Sequence, residues 1–197
     1  LSLAIDRKKL ADAFLVGAGE PAFGAPVTSR SPAYRAFPIP AQDLVKAKSL
    51  LTAAGYPNGF DLDVVMTTWA GFPENQDIQE AINVWWESTG LKVKRVPMEL
   101  SKYLAEWARV GDKFANPTIQ LYWDSNRLIT VVSEQQPTLP YSRWADPVLN
   151  TLFSAAQTAT NQEVYIKALQ TYQDRFMEQF TQPAVVQGGV ILAARVG

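Results

Sequence analysis

The stretch DLVKAKSLLTAAGYPNGFDLDVVMTT, residues 43–68, carries the signals for a helix, a turn and a strand in immediate succession. Asp43 is a good N-cap, and the apolar residues that follow it keep helical spacing. Gly55 predicts the helix end, because glycine readily takes the left-handed conformation of a C′ residue. The sequence YPNG at 56–59 predicts a turn, and the apolar run after it predicts a buried strand over residues 60–68.

The same alternation of helix and strand continues along the chain. Further helices are predicted over residues 2–16, 75–88 and 100–110, from residue 147 and from residue 160, and further strands over residues 91–97, 117–123 and within 184–196. Residues 18–42 contain five prolines and three aromatic residues and are interpreted as an irregular loop packed on the surface. The order of elements predicts one α/β domain over residues 1–197, with a mixed, mostly parallel sheet flanked by helices.

The composition is that of a folded, soluble protein without a nucleic-acid or membrane partner. Hydrophobic residues make up 47% and charged residues 19% of the 197 residues. The 18 basic and 19 acidic residues nearly balance, which argues against nucleic-acid binding. No apolar run reaches the ~18 residues that a membrane span needs.

The chain contains no His and no Cys. A Ser-His-Asp triad, a Cys-His pair and the usual zinc or haem ligands are therefore excluded within it. We predict no cofactor, no metal and no catalytic residue. Asp61 and Asp63 share one face of a predicted strand, where they could do acid–base work, but a solvated strand start explains them as well.

Two adjacent tryptophans lie in the middle of the helix predicted over residues 75–88. The apolar stripe Ile78, Ile82 and Trp85 predicts that Trp85 packs in the core. Trp86 is then either a partly covered surface ring or part of an interface, and with loop 18–42 it defines a protein-interaction module as one alternative function.

The candidate site lies past the ends of two predicted strands. In open α/β sheets, ligands bind outside the carboxyl ends of the strands. Aromatic rings and polar groups follow both strands here, and they could stack on a ligand and orient it. The alternative is that the tryptophans only cover the core. The predicted ligand contacts are Thr68, Trp69, Tyr122, Trp123, Asp124 and Asn126.

Four motifs carry a resemblance to a known family. Residues 43–60 resemble the pattern D-P-x-K-A-K-x-L-L-x-x-A-G-Y-P-x-G-F of the family 5 extracellular solute-binding proteins, the binding components of dipeptide, oligopeptide and nickel ABC importers. LAIDRKKL at 3–10, WESTGLKV at 86–93 and YSRWADPVLNTL at 141–152 are similar to further family motifs. The matches follow the family order along essentially the whole chain.

The resemblance implies the C-terminal lobe of a type II periplasmic binding protein fold. It implies non-catalytic capture of a small solute, a peptide or another oligomer, in a cleft that the N-terminal lobe of the same parent protein completes. The implied partner is an ABC transporter permease, and the implied location is periplasmic or extracellular, with a lipid anchor as one form of attachment.

One position departs from the family pattern. Asn126 stands where many peptide-binding members carry an Asp that holds the ligand's amino group, and an amide cannot neutralise an ammonium group. An oligosaccharide stacking on Trp69 or Trp123 therefore stays open as the ligand. A glycoside hydrolase that uses Asp61 or Asp63 with Asp124 is the enzymatic alternative, and it requires two carboxyl groups ~5–9.5 Å apart.

Overall fold

A computed structural model describes residues 1–24, 27, 29, 31–68, 74–107, 146–179 and 185–188. The described helices are α1 (Arg7–Leu10), α2 (Leu44–Ala53), α3 (Asn75–Ser88), α4 (Leu100–Trp107), α5 (Pro147–Gln157) and α6 (Gln162–Gln179), with a 3₁₀ turn at Ser2–Ala4 and a π-helical turn at Ala11–Leu15. The described strands are β1 (Gly19–Pro21), β2 (Asp61–Met66), β3 (Lys92–Pro97) and β4 (Val186–Gly188). The strand predicted over residues 117–123 lies outside the described residues.

Strands β2 and β3 are parallel and in register from Asp61 beside Lys92 to Met66 beside Pro97. Helix α3 connects them, so the prediction of parallel strands alternating with helices is confirmed for this unit. Strand β1 lies inside the predicted loop and pairs antiparallel with β4. The described architecture is therefore mixed α/β.

The turn before β2 explains why the sequence needs glycine there. The Gly59 amide donates to Tyr56 O at 3.1 Å, and Gly59 has φ +69°. A Cβ atom at Gly59 would lie 1.9 Å from Gly90 O, in the turn that ends α3. The turns before β2 and β3 thus touch through their backbones, and any side chain at Gly59 would separate them.

One core lies between the parallel strands and the helices that flank them. Its buried residues are Ala4, Ile5, Leu10, Ala47, Leu51, Val64, Ile78, Ile82, Trp86 and Leu91. Trp85 packs against this core as predicted, but the prediction that Trp86 is a surface ring or part of an interface was wrong. Trp86 is only 9% exposed and its Nε1 donates to Leu1 O at 3.3 Å, whereas Trp85 is half-buried. The buried stripe is Ile78, Ile82 and Trp86, at steps of four residues, because the 3₁₀ turn packs against that face.

A second core joins α5 and α6 into a hairpin. Its buried residues are Ala33, Leu149, Phe153, Ala156, Leu169, Tyr172 and Phe176. Asp146 caps α5, since its Oδ1 accepts from the Val148 amide at 2.8 Å, and the helix begins at residue 147 as predicted. The helix predicted from residue 160 begins slightly later, since Asn161 Oδ1 accepts from the Val164 amide at 2.9 Å and caps α6.

The helix predicted over residues 2–16 is interrupted at Ile5, which is extended. The Asp6 side chain accepts from the Lys9 amide and starts α1 afresh. Arg7 is buried beneath the Phe23 ring, 4.9 Å from its centroid, and donates to Ser2 O. Burial lowers the pKa of Arg7 to about 10, so it stays charged at neutral pH. Within the residues described, no helix combines the length and the apolar character needed to cross a bilayer.

Candidate functional site

The carboxyl ends of β2 and β3 open at one edge of the parallel sheet. Beyond the last paired residues, the Met98 amide still donates to Met66 O at 2.8 Å. Thr67 is buried and Thr68 is exposed, so the chain leaves the core between these two residues. Helices α3 and α4 both begin after this edge. This is the place where α/β sheets bind ligands.

The exit of the chain from β2 is tied to the start of α3. Asn75 Nδ2 donates to Thr67 O at 3.0 Å, and both residues are at least 99% buried. Because Asn75 is the first residue of α3, this bond fixes the end of the strand to the beginning of the helix. The backbone directly before Thr68 is therefore fixed to the first residue of α3.

Helix α3 presents a second buried stripe, made of amides. Asn75, Gln79 and Asn83 follow one another at steps of four residues, and each is at most 1% exposed. Five buried polar atoms here find no hydrogen-bond partner within the part of the chain that the structure describes: Thr67 Oγ1, Asn75 Oδ1, Gln79 Oε1, Gln79 Nε2 and Asn83 Oδ1. This stripe was not predicted, although its four-residue spacing can be seen in the sequence.

A carboxylate that the sequence analysis also missed lies at the end of β3. Glu99 Oε2 accepts from the Lys102 amide at 3.3 Å and from the Ser101 hydroxyl, and so caps α4. Hydrogen bonds from Ser101 and Lys102 hold the pKa of Glu99 below its usual value. The same sheet edge therefore carries an exposed hydroxyl after β2 and an ionised carboxylate after β3.

Of the predicted ligand contacts, Thr68 lies at this edge and is exposed. Trp69, Tyr122, Trp123, Asp124 and Asn126 lie outside the described residues. Their convergence on one site stays a prediction.

The aspartate pair of β2 takes part in ion pairs with the neighbouring strand. Asp61 Oδ1 is 3.9 Å from Lys92 Nζ, and Asp63 Oδ2 is 3.7 Å from Lys94 Nζ. Asp61 begins β2 and so lies at the amino end of the strand, whereas Thr68 follows its carboxyl end. Among the described residues, no three acidic side chains come together as a metal site would require.

Comparison with known proteins identifies relatives of the same kind. The family model of the bacterial extracellular solute-binding proteins, family 5 Middle, matches residues 1–127. Heme-binding protein A of Haemophilus influenzae is 32% identical over 108 residues, which are 52% of this chain and 19% of that protein.

Solved structures share the fold over nearly the whole chain. The dipeptide binding protein of Pseudoalteromonas sp. SM9913, in complex with Met-Leu, superposes with a TM-score of 0.81 at 21% identity and covers 95% of this chain. HbpA2 of Haemophilus parasuis superposes with a TM-score of 0.79 at 24% identity and covers 94% of this chain. The murein tripeptide binding protein MppA of Escherichia coli superposes with a TM-score of 0.78 at 21% identity and covers 95% of this chain.

This chain spans 38%, 39% and 38% of those three proteins, respectively. Their fold is the type II periplasmic binding protein fold, which agrees with the parallel unit and flanking helices described above. With the family model matching well over half of its residues, the chain belongs to family 5 of the bacterial extracellular solute-binding proteins.

Proposed function

We propose that this chain is one lobe of the solute-binding component of a bacterial ABC importer. It captures a small solute, a peptide or another oligomer, without transforming it. The observation that carries the proposal is the family match over residues 1–127. The sheet edge at Thr68, open in the manner of an α/β ligand site, supports it.

The proposed cleft needs a second wall. The chain spans about two fifths of the solved relatives, 38% in the case of the dipeptide binding protein. We infer that the N-terminal lobe of the same protein closes over the edge that carries Thr68, and that Trp69, Tyr122, Trp123, Asp124 and Asn126 join it as ligand contacts. Closure of two lobes around a ligand is a hinge motion, which buries the ligand and excludes water.

The names of the relatives include two that point to short peptides and one that points to heme, so they leave the ligand open. One relative holds Met-Leu, another is a murein tripeptide binding protein, and a third is named for heme. Since these solutes differ in charge and size, the ligand must be found by experiment. An oligosaccharide stays the alternative to a peptide.

The residue types of the chain support capture without catalysis. The chain has no His and no Cys, and Asp61 and Asp63 stand beside lysines. The glycoside hydrolase alternative pairs one of these aspartates with Asp124, which lies outside the described residues, and it needs two carboxyl groups ~5–9.5 Å apart across a cleft. We further propose that the protein works outside the cytoplasmic membrane, in the periplasm or on a lipid anchor, and delivers its ligand to the permease of the importer.

The test is binding by the protein at its full natural length. Native mass spectrometry of the purified protein searches for a retained ligand, and calorimetric titration measures Met-Leu, trialanine, maltotriose and haem. We expect at least one probe to bind with a Kd in the micromolar range or below, and to be recovered unchanged. A probe that is hydrolysed, or the absence of both a retained ligand and any binding, overturns the proposal.

A matched pair of variants locates the site on the sheet edge. Thr68→Val removes one exposed hydroxyl and should weaken binding about 2- to 10-fold, which is the loss of one hydrogen bond. Thr52→Val removes an exposed hydroxyl from α2, where Thr52 Oγ1 donates to Lys48 O, and should leave the Kd unchanged. Equal effects of the two changes would place the ligand elsewhere.

A further inference from the structure

We propose that Asn75 is a positioning residue, which sets the direction in which Thr68 faces the ligand. This inference rests on the proposed function, because it takes Thr68 to be a ligand contact. Asn75 acts through the backbone of Thr67 and need not touch the ligand itself.

The geometry at the end of β2 singles out one carbonyl. Met66 O is used by the Met98 amide of the neighbouring strand at 2.8 Å. The next carbonyl along the chain, Thr67 O, accepts from Asn75 Nδ2 at 3.0 Å. One residue before Thr68, the hydrogen-bond donor is thus a side-chain amide, whereas the preceding carbonyl accepts from the backbone of the neighbouring strand.

The partner of that carbonyl is held rigidly. Asn75 begins α3, and Ile78, one turn further, is completely buried in the core. The Ile78 amide donates to Glu74 O at 3.0 Å, so the first turn of the helix is closed. The bond from Asn75 therefore transmits the position of a packed helix to the backbone that presents Thr68.

The residue type follows from the burial. Both Asn75 and Thr67 are screened from water, so a lost donor could not be replaced by solvent, and Thr67 O would be left unsatisfied. An ionised carboxylate in place of the amide would have no donor and would set lone pairs against the carbonyl. A protonated carboxyl group has an O–H and could donate again.

The experiment compares Asn75→Ala and Asn75→Asp with the control Asn83→Ala in the full-length protein. Asn83 is equally buried on the same helix, and its Nδ2 approaches Met66 Sδ instead of a strand-end carbonyl. Hydrogen exchange of the Thr67 and Thr68 amides is read by NMR or mass spectrometry. The Kd is read by calorimetry for the probe that the wild type binds, taken from Met-Leu, trialanine, maltotriose and haem.

Asn75→Ala should speed exchange at Thr67 and Thr68 several-fold and weaken binding about 3- to 10-fold, and Asn75→Asp should do the same at a pH high enough to ionise its carboxyl group. For Asn75→Asp, the loss relative to wild type at the same pH should shrink as the pH falls, because burial raises the pKa of the introduced carboxyl group above its usual ~3.9 and favours the protonated form. Asn75→Ala has no such group and should show no recovery. Asn83→Ala should lower stability without either effect.

The outcomes separate this inference from the proposed function. If the wild type binds a probe and the Asn75 variants resemble Asn83→Ala in exchange and Kd, the positioning role is wrong. If the wild type binds no probe, the proposed function fails, and the exchange data alone decide whether Asn75 fixes the strand end. Affinity loss in Asn75→Asp that does not depend on pH would also overturn the inference.

Discussion

The β2–α3 unit and the α5–α6 hairpin both bury glutamine side chains on a helix, and they treat them in opposite ways. In the hairpin, Gln173 Oε1 accepts from the Arg35 amide at 3.1 Å, while its Nε2 donates to Ala33 O at 2.7 Å and Leu169 O at 3.0 Å. In α3, neither polar atom of Gln79 has a partner within the described residues.

The contrast extends beyond the two glutamines. Of the six buried side-chain atoms without a partner in the described part of the chain, five belong to the β2–α3 unit, and the hairpin contributes Asn150 Oδ1. Leaving a buried polar group unsatisfied costs about 1–3 kcal/mol. In the hairpin, the hydrogen bonds of buried Gln173 stabilise the fold. In the β2–α3 unit, which also carries Thr68, several buried polar groups have no partner among the described residues, and such groups in a native structure often accompany function.

The sharpest way to test this contrast is to truncate both glutamines. Gln173→Ala removes three hydrogen bonds and leaves Ala33 O and the Arg35 amide without their partner, so we expect a loss of about 2–4 kcal/mol in the free energy of unfolding. Gln79→Ala removes no hydrogen bond among the described residues and should lower the free energy of unfolding by less than about 1 kcal/mol. Urea denaturation followed by circular dichroism measures both.

Gln170→Ala serves as the control for the hairpin, since Gln170 is half-buried on the same helix, three residues before Gln173. It should change stability by less than about 0.5 kcal/mol. Equal losses for Gln173→Ala and Gln79→Ala would remove the contrast between the two regions.

A smaller effect is expected from the ion pair that closes the hairpin. Arg175 Nε donates to Asp146 Oδ2 at 2.7 Å, and the Asp146 side chain is 5% exposed. Burial opposes ionisation of Asp146, but hydrogen bonds from Arg175 and from the Val148 and Leu149 amides outweigh it and hold its pKa below 3.8. Because the folded pKa is depressed, the pair contributes stability above that value and loses it as the pH falls.

Arg175→Met should therefore lower the free energy of unfolding by about 1–2 kcal/mol at pH 7. The difference from wild type should shrink as the pH falls below 4. Arg35→Met is the matched control, because Arg35 pairs with Asp174 at 2.9 Å in an exposed position and should lose at most about 1 kcal/mol. A deficit for Arg175→Met that is independent of pH would assign the loss to packing of the arginine stem instead.

Local signals in the sequence predicted much of the fold. Asp43 caps α2 as expected, because a cap depends on the residue and the two or three amides after it, and Asp146 caps α5 in the same way. Gly55 and Gly90 end helices with positive φ for the same local reason. The phase of α3 was misjudged, since Trp85 and Trp86 differ only in which neighbours they meet, and those neighbours include Leu1, far away in sequence.

At the sheet edge, the sequence predicted the end of β2 but not the buried groups beside it. A strand-end rule located Thr68 without knowledge of the neighbours. The burial of the amides of α3 was not predicted, because Asn and Gln on a helix ordinarily face water. Only tertiary packing shows that Asn75, Gln79 and Asn83 do not.

The smallest expected effect has the opposite sign. Thr67 is 1% exposed and its Oγ1 has no partner among the described residues, so Thr67→Val replaces an unsatisfied hydroxyl by a methyl group of the same shape. We expect a gain of up to about 1 kcal/mol in the free energy of unfolding, measured by urea denaturation. Thr89→Val is the matched control: Thr89 is 3% exposed and its Oγ1 donates to Trp86 O at 2.7 Å, so this change should lose about 1 kcal/mol. If Thr67→Val destabilises the protein as much as Thr89→Val, the Thr67 hydroxyl is satisfied, and the sheet edge is as fully bonded as the hairpin.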